Sequence, residues 1–205
     1  FKLGRTLQPK LSTPQRYLYR CIAAENSDVG FNQNAGHVDM VLYNNIAYAN
    51  RGRGGYILNQ QDISTILHNN IDYANAGSSR FSANSRHSHN SWDSWVRVSD
   101  ADFVSLDVNE LIRPRKRDGS LPEITSFTLR QDSDLIDAGR DVELPFKGVA
   151  PDIGAQESQY SRENTPSTQD AIFLQESDYV RTVDVSILCD STGDDIYFIE
   201  SDDDW

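Results

Sequence analysis

The fold is decided by a seven-residue stretch that occurs twice: Asn-Asn-Ile-Ala-Tyr-Ala-Asn at residues 44–50 and Asn-Asn-Ile-Asp-Tyr-Ala-Asn at residues 69–75. The two copies begin 25 residues apart. A weaker copy, Arg20–Asn26, precedes them, and His89–Trp92 looks like a degraded fourth copy. Self-similarity at a fixed period in the twenties is the signature of a solenoid, in which each repeat forms one coil.

A second pattern runs in phase with the first. Gly30–Asn34 matches Gly55–Asn59, and Phe1–Gly4 fits the same template. The apolar segments within each period, such as Met40–Tyr43 and Thr65–Leu67, are too short for helices and are bounded by Gly, Asn and Asp. The sequence therefore predicts an all-β chain, a parallel β-helix with coils of about 22–25 residues and an irregular C-terminal cap.

The recurring Asn-Asn pairs suit the corners between strands. Asn tolerates a left-handed backbone, and its amide both donates and accepts hydrogen bonds, so stacked Asn side chains can satisfy one another from coil to coil. Leucine-rich and helical repeats do not supply such corners, and we reject both. Ile46 and Ile71 are expected to stack in the core. We assign the structural role, in preference to a binding role, to four residues: Asn44, Asn45, Asn69 and Asn70.

The period is lost from about Asp93, and a basic, proline-bearing stretch at residues 111–122 belongs to a non-repeating segment. A terminal coil left bare would expose strand edges and apolar surface, so we expect this segment to wrap back over the stack. The cluster Arg113–Arg117 is interpreted as solvated surface, because no aromatic residues interleave it as nucleic-acid binding would require.

The formal charge of −12 is unevenly distributed. Residues 159–205 hold 2 Lys and Arg against 12 Asp and Glu, which leaves a nearly neutral body of 17 against 19. The acidity therefore does not argue against an acidic ligand for the body. The Asp-rich end lacks a calcium-loop pattern and is interpreted as a solvated tail or the start of a truncated module. We predict three regions: coils at 1–95, a cap at 96–157, and an acidic linker with a hairpin or truncated module at 158–205.

Several functional classes are excluded or left without support. No apolar run approaches the roughly 18 residues of a membrane span. Cys21 and Cys189 match neither a disulfide framework nor a zinc spacing, and we predict no bridge between them. The pair His87 and His89 has no further ligands nearby in sequence, so we assign no chemistry to it or to the other two histidines, His37 and His68.

Several segments match those of a known family: Phe1–Gly4, Gly30–Asn34, Tyr43–Tyr48, His89–Trp92, Ala101–Asp107, Arg113–Arg115 with Asp118–Pro122, Asp134–Gly139 and Ala150–Ala155. They resemble the late coils and the C-terminal cap of the pectate lyases of polysaccharide lyase family nine, and this resemblance implies a right-handed parallel β-helix. In that family the lysine of Phe-Lys-Leu-Gly is the proton-abstracting base, so the resemblance implies that Lys2 is catalytic. The family's calcium-binding aspartates lie in earlier coils, so Ca²⁺ is expected from the family with ligands upstream of this chain and none within it.

The implied reaction is β-elimination on polygalacturonate, in which the base removes the C5 proton of a uronate and the C4 oxygen leaves. Calcium would stabilise the developing negative charge. The repeat places Lys2, Asn32 and Ile57 in one column across successive coils. Asn32, Gln33 and Asn34 are the predicted substrate-binding residues, although packing between coils explains their amides equally well.

The resemblance also implies an acidic polysaccharide as the partner, no nucleic acid, no membrane span, a monomer, and secretion or display at the cell surface. Two other functions stay open on the sequence. One is a β-helix that binds carbohydrate without cleaving it, and the other is a purely structural cell-surface solenoid, for which the general features of the cap and tail would suffice.

Overall fold

The computed structural model describes residues 1–3, 16–93 and 96–162, together with the backbone of two later strands. Short strands follow one another around three sides of each coil. In chain order the coil strands are β1 (Arg16–Tyr19), β2 (Ile22–Ala24), β3 (Val29–Asn32), β4 (Met40–Tyr43), β5 (Ile46–Tyr48), β6 (Gly54–Leu58), β7 (Thr65–His68), β8 (Ile71–Tyr73), β9 (Arg80–Phe81) and β10 (Arg86–Ser88). Two later strands, β11 (Val185–Cys189) and β12 (Ile196–Glu200), do not belong to the coils.

Every third strand pairs in parallel, which produces three sheets. The first sheet has the order β1-β4-β7-β10, the second β2-β5-β8 and the third β3-β6-β9. The register follows the sequence repeat, since Ile22 lies opposite Ile46, and Ile46 opposite Ile71. The predicted all-β fold, a parallel β-helix, is confirmed.

The interior of the coils is filled by stacked apolar side chains. The rings of Phe31 and Tyr56 lie 4.9 Å apart at an interplanar angle of 11°. Trp92 lies 5.4 Å from Tyr56 and extends this stack toward the end of the repeat. Gly30 has no room for a side chain, because a Cβ there would lie 2.7 Å from the carbonyl oxygen of Gly55. Close stacking of successive coils therefore requires glycine at this position of β3.

A ladder of asparagine amides joins the coils at the corner between the first and second sheets. Asn45 Nδ2 donates to Asn70 Oδ1 at 2.9 Å, and Asn70 Nδ2 donates to Asn90 Oδ1 at 2.8 Å. The same amides bind corner backbone, as when Asn70 Nδ2 donates to the Leu42 carbonyl at 2.8 Å. Asn90 continues the ladder, which confirms that the degraded fourth copy still belongs to the repeat.

A second ladder lies at the corner between the second and third sheets. Asn26 Nδ2 donates to Asn50 Oδ1, and Asn50 Nδ2 donates to Asn75 Oδ1, each at 2.7 Å. At the first corner, the residues that precede the ladder take the left-handed backbone expected of Asn, with φ of 55° at Asn44 and 60° at Asn69. The structural interpretation of the Asn-Asn pairs is confirmed.

The outer asparagine of each pair fastens the C-terminal segment to the helix. Asn44 Nδ2 lies 2.9 Å from the Asp152 carbonyl oxygen and 3.1 Å from that of Gly154. Asn69 Nδ2 donates to the Arg140 carbonyl at 2.8 Å, and its Oδ1 accepts from the Arg140 amide, also at 2.8 Å. The inner residue of each pair thus joins coil to coil, and the outer residue joins coil to cap, while Asn69 Nδ2 also donates to Asn44 Oδ1 of the previous coil at 3.2 Å.

The cap, residues 96–162, packs along the outer face of the second sheet. It is largely irregular, with short 3₁₀ turns at Asp100–Asp102 and Val108–Ile112. Ile46 and Ile71 are buried against it, so the core in which they stack lies between sheet and cap, not inside the coils. The cap residues buried in this core are Val96, Phe103, Phe127, Leu129, Leu135, Ile136, Ala138, Ile153 and Ala155.

A buried carboxyl group, Asp152, and a half-buried one, Glu157, lie where the cap meets the first corner. Asp152 accepts from the Asp137 amide at 2.9 Å and the Ser158 amide at 2.6 Å. Glu157 accepts from the Asp152 amide at 3.3 Å and lies 3.7 Å from the guanidinium of Arg20. Burial, together with the neighbouring Asp152 charge, raises the pKa of Glu157 to about 7.

Residues 164–205 form a separate unit. In it, β11 and β12 pair antiparallel. Cys21 is a free thiol, whereas the side chain of Cys189 lies outside the described residues, as do the Asp-rich end and residues 4–15. Within the described ranges, no helix is long and apolar enough to cross a membrane. The region boundaries at residues 95 and 157 stay predictions.

Replacement of Asn70 by Ala should destabilise the β-helix strongly. The variant removes the side-chain hydrogen bonds of Asn70 to the Leu42 carbonyl and to Asn90 Oδ1, and it leaves the Asn45 backbone amide without its side-chain acceptor. We expect the free energy of unfolding to fall by about 3 kcal/mol, measured by urea denaturation followed through tryptophan fluorescence. The control is Asn59→Ala at an exposed position, for which a change within about 0.5 kcal/mol is expected. Equal losses in both variants would contradict the ladder's role.

The raised pKa of Glu157 predicts a specific dependence of stability on pH. The folded state retains this proton above the ordinary value of 4.5, so the unfolding free energy contributed by Glu157 falls as pH rises from about 4.5 to about 7. Glu157→Gln should remove that decline. Relative to the parent chain, the variant should gain about 1–3 kcal/mol between pH 4 and pH 8. The control is Glu143→Gln at an exposed cap position. A pH-independent difference between Glu157→Gln and the parent would disprove the assignment.

Candidate active site

A column of outward-facing residues crosses the third sheet. Lys2 lies opposite Asn32 in a parallel bridge, and Asn32 lies opposite Ile57. The predicted column of Lys2, Asn32 and Ile57 is therefore confirmed in its register. The structure adds a fourth member, because Ile57 lies opposite Arg80 in β9.

Lys2 is held in the column by its neighbours in sequence. Asn32 donates its amide to the Phe1 carbonyl at 2.9 Å, and the Leu3 amide donates to the Asn32 carbonyl at 2.8 Å. The Phe1 ring stacks on Phe31 at 5.1 Å, and Leu3 packs against the interior cluster. Since adjacent residues of a strand face opposite sides, the Lys2 side chain extends outward, and it is exposed.

The three predicted binding residues occupy different environments. Asn32 Oδ1 accepts from the Asn34 amide at 2.8 Å, and no bond of the Asn32 Nδ2 group to another described residue is found. Gln33 is only 4% exposed, and its Oε1 accepts from the Gln60 amide at 3.2 Å. Asn34 has a left-handed backbone with φ of 52°. Asn32 alone of the three shares the column with Lys2, and the binding roles stay predictions.

Ion pairs join the turns on both edges of the third sheet. On the edge that precedes the strands, Arg53 binds Asp28 of the previous coil at 3.0 Å. This guanidinium lowers the pKa of Asp28. On the edge that follows the strands, the His37 imidazole contacts the Asp62 carboxylate, and this contact lowers the pKa of Asp62. Each pair connects successive coils and gives a carboxylate near the column a side-chain partner.

The described residues contain no cluster of three or more His, Cys, Asp or Glu side chains that could hold a metal ion. The pair His87 and His89, which has a chelating spacing, does not form one. His87 Nδ1 lies 2.5 Å from Asp93 Oδ1, and the other nearby imidazole, His68, lies 2.8 Å from the Ser88 hydroxyl. These residues do not fit the calcium site that the family implies.

Arg80 is the residue that reading the sequence missed. The repeat motif Gly-aromatic-x at Gly30–Asn32 and Gly55–Ile57 has no counterpart in the third coil, where the corresponding residues are Ser78–Arg80. The usable signal was the pair Arg80-Phe81, which follows Ile57-Leu58 at a spacing of 23 residues. Alternation of outward and inward side chains would then have placed Arg80 outward in the Lys2 column.

No family model matches the sequence. Two curated relatives do: pectate lyase L of Dickeya dadantii (strain 3937), 35% identical over 139 residues, and pectate lyase L of Dickeya chrysanthemi, 34% identical over 139 residues. Each match covers 67% of this chain and 32% of the relative, so the chain spans about a third of the relatives' length.

Among solved structures, the crystal structure of pectate lyase Pel9A matches with a TM-score of 0.64 and 31% sequence identity, over 77% of this chain and 38% of that chain. Sequence and structure thus agree on the same group of proteins. The body of this chain is therefore a parallel β-helix of the kind found in the pectate lyases of polysaccharide lyase family nine.

Proposed function

We propose that the protein containing this chain is a polysaccharide lyase that cleaves polygalacturonate, or a related uronate glycan, by β-elimination. The observation that carries the proposal is the position of Lys2. It lies in register with Asn32 of the third sheet in a parallel bridge, and the residues before and after it are hydrogen-bonded to the Asn32 backbone. The similarity to two pectate lyases and to Pel9A supports the same reaction class.

In the proposed reaction Lys2 acts as the base. Its neutral amine takes the C5 proton of a bound uronate, and the electrons of the C5–H bond form the C4=C5 double bond. The C4–O bond breaks, and its electron pair leaves with the glycosidic oxygen, which then takes up a proton. General base catalysis of this kind contributes about 10²–10⁴-fold to the rate.

Asn32 is the proposed substrate contact beside the base. Its Oδ1 is used by the Asn34 amide, so its Nδ2 group is the part that would donate to a sugar hydroxyl or carboxylate. Gln33 and Asn34 stay in the proposal as neighbouring contacts. Gln33 is the weaker candidate for a substrate contact, because its Oε1 already accepts a hydrogen bond from the Gln60 amide.

Calcium dependence is part of the proposal, with the ligands outside this chain. A bound calcium ion would neutralise uronate charge and favour loss of the C5 proton. Because the described residues do not fit a calcium site, no step above passes through the ion. An acidic polysaccharide as substrate, a monomeric enzyme and secretion or cell-surface display complete the proposal.

The direct test measures the ultraviolet absorbance of unsaturated uronate when the full-length protein acts on polygalacturonate with Ca²⁺. Lys2→Ala should reduce kcat by about 10²–10⁴-fold, because it removes the base. Lys2→Arg should also be inactive while retaining binding, because arginine keeps the positive charge but does not deprotonate in proteins.

The matched control is Lys147→Ala, an exposed cap lysine, which should retain full activity. If the full-length protein binds polygalacturonate but never releases unsaturated product, it is a carbohydrate-binding β-helix and the lyase proposal is wrong. If Lys2→Ala is as active as the parent protein, the reaction has a different base.

A further inference from the structure

We propose that Arg80 binds a carboxylate of the acidic glycan at a subsite three strand spacings, roughly 14 Å, from Lys2. This inference rests on the proposed function, because Lys2 is taken as the point of cleavage and the glycan as lying along the column. It adds a binding residue at a coil well separated from the base.

Arg80 lies on the same face of the third sheet as Lys2. The register runs from Lys2 through Asn32 and Ile57 to Arg80 without a break. The next residue, Phe81, packs into the coil interior with its ring 5.1 Å from that of Trp92. Alternation along the strand then directs Arg80 outward, and its side chain is exposed.

The backbone that presents Arg80 is firmly held. The hydroxyl of Ser79, the preceding residue, accepts from the Tyr56 amide at 2.7 Å and contacts the Asp72 carboxylate inside the coil. The turn before it is stacked against the previous coil, since a Cβ on Gly77 would lie 2.5 Å from the Arg53 carbonyl oxygen. A fixed backbone limits the ordering cost of binding to the Arg80 side chain itself.

The charges around the column leave Arg80 available for an anion. Arg51 lies 3.4 Å from Glu25, and Arg53 is also paired with a carboxylate of the previous coil. No carboxylate among the described residues forms an ion pair with Arg80. On the edge of the third sheet that follows the strands, the Asp62 carboxylate is in contact with His37.

The geometry of the guanidinium matches a uronate carboxylate. Its planar fork can donate two parallel hydrogen bonds to the two carboxylate oxygens, which a lysine cannot do. Asn32 and Ile57, between Lys2 and Arg80, carry no charge, and Ile57 is only 7% exposed. The column therefore offers a carboxylate contact at Arg80 in register with the proposed base Lys2, and an extended chain with a carboxylate on every sugar can reach both residues.

The test compares binding and turnover by the full-length protein and its Arg80→Gln variant. We expect Arg80→Gln to weaken binding of polygalacturonate and to raise KM by about 5- to 30-fold, with a smaller change in kcat. Its binding should also depend less steeply on salt. Arg80→Lys should fall between the two. Arg86→Gln, at an exposed position of the first sheet, is the matched control and should bind like the parent protein.

Two probes separate charge recognition from general adhesion. The Arg80→Gln defect should be present with polygalacturonate and absent with its methyl ester, in which the carboxylates are neutral. Unchanged polygalacturonate binding by Arg80→Gln, or an equal loss in Arg86→Gln, would overturn the proposal. A parent protein that does not bind polygalacturonate would overturn it as well.

The failure of this inference differs from the failure of the proposed function. If the parent protein binds polygalacturonate and Arg80→Gln does not, while neither produces unsaturated uronate, the subsite stands and the lyase reaction falls. If Lys2→Ala is inactive and Arg80→Gln binds and turns over normally, the reaction stands and the subsite falls.

Discussion

The stack of asparagine amides at the first corner is the interaction on which the rest of the structure depends. A chain that turns sharply between two short strands leaves backbone donors and acceptors facing a dry interior, where an unpaired group is costly. Asn45, Asn70 and Asn90 resolve this by bonding one another and the corner backbone together. Because each amide requires its neighbour directly above or below, the ladder also sets the register between coils.

Hydrogen bonds and stacked rings in the coil interior connect this corner to the third sheet and align the strands of the two. The Tyr56 hydroxyl lies 3.1 Å from the carbonyl oxygens of both Asn45 and Ile71, which belong to the corner and the strand after it. Its ring stacks with Phe31, and Phe31 stacks with Phe1. The residues that follow these rings then face outward one above another. The candidate active-site column is thus the outer side of an internal aromatic stack.

The cap depends on the same corner through the outer asparagines. Asn44 and Asn69 bind cap backbone at residues 140, 152 and 154, and the strand residues that follow the corner bury their outer side chains beneath it. The cap therefore covers the second sheet and leaves the third sheet uncovered by that core. Glu157 lies beside this contact. Because the junction excludes water, the charged form of Glu157 is poorly solvated there and its pKa is raised.

The sequence alone determined the coil, its period and the column that contains Lys2, because these features repeat. A side chain that must stack on its own copy leaves a periodic trace, as the two Asn-Asn-Ile stretches do. Only the tertiary structure decided what does not repeat: the burial of Ile46 and Ile71 beneath the cap, the inward bond of Gln33, and the position of Arg80. The first two depend on contacts between residues that are not neighbours in sequence, and the third depends on a strand that has lost the repeat motif. A local sequence pattern predicts neither.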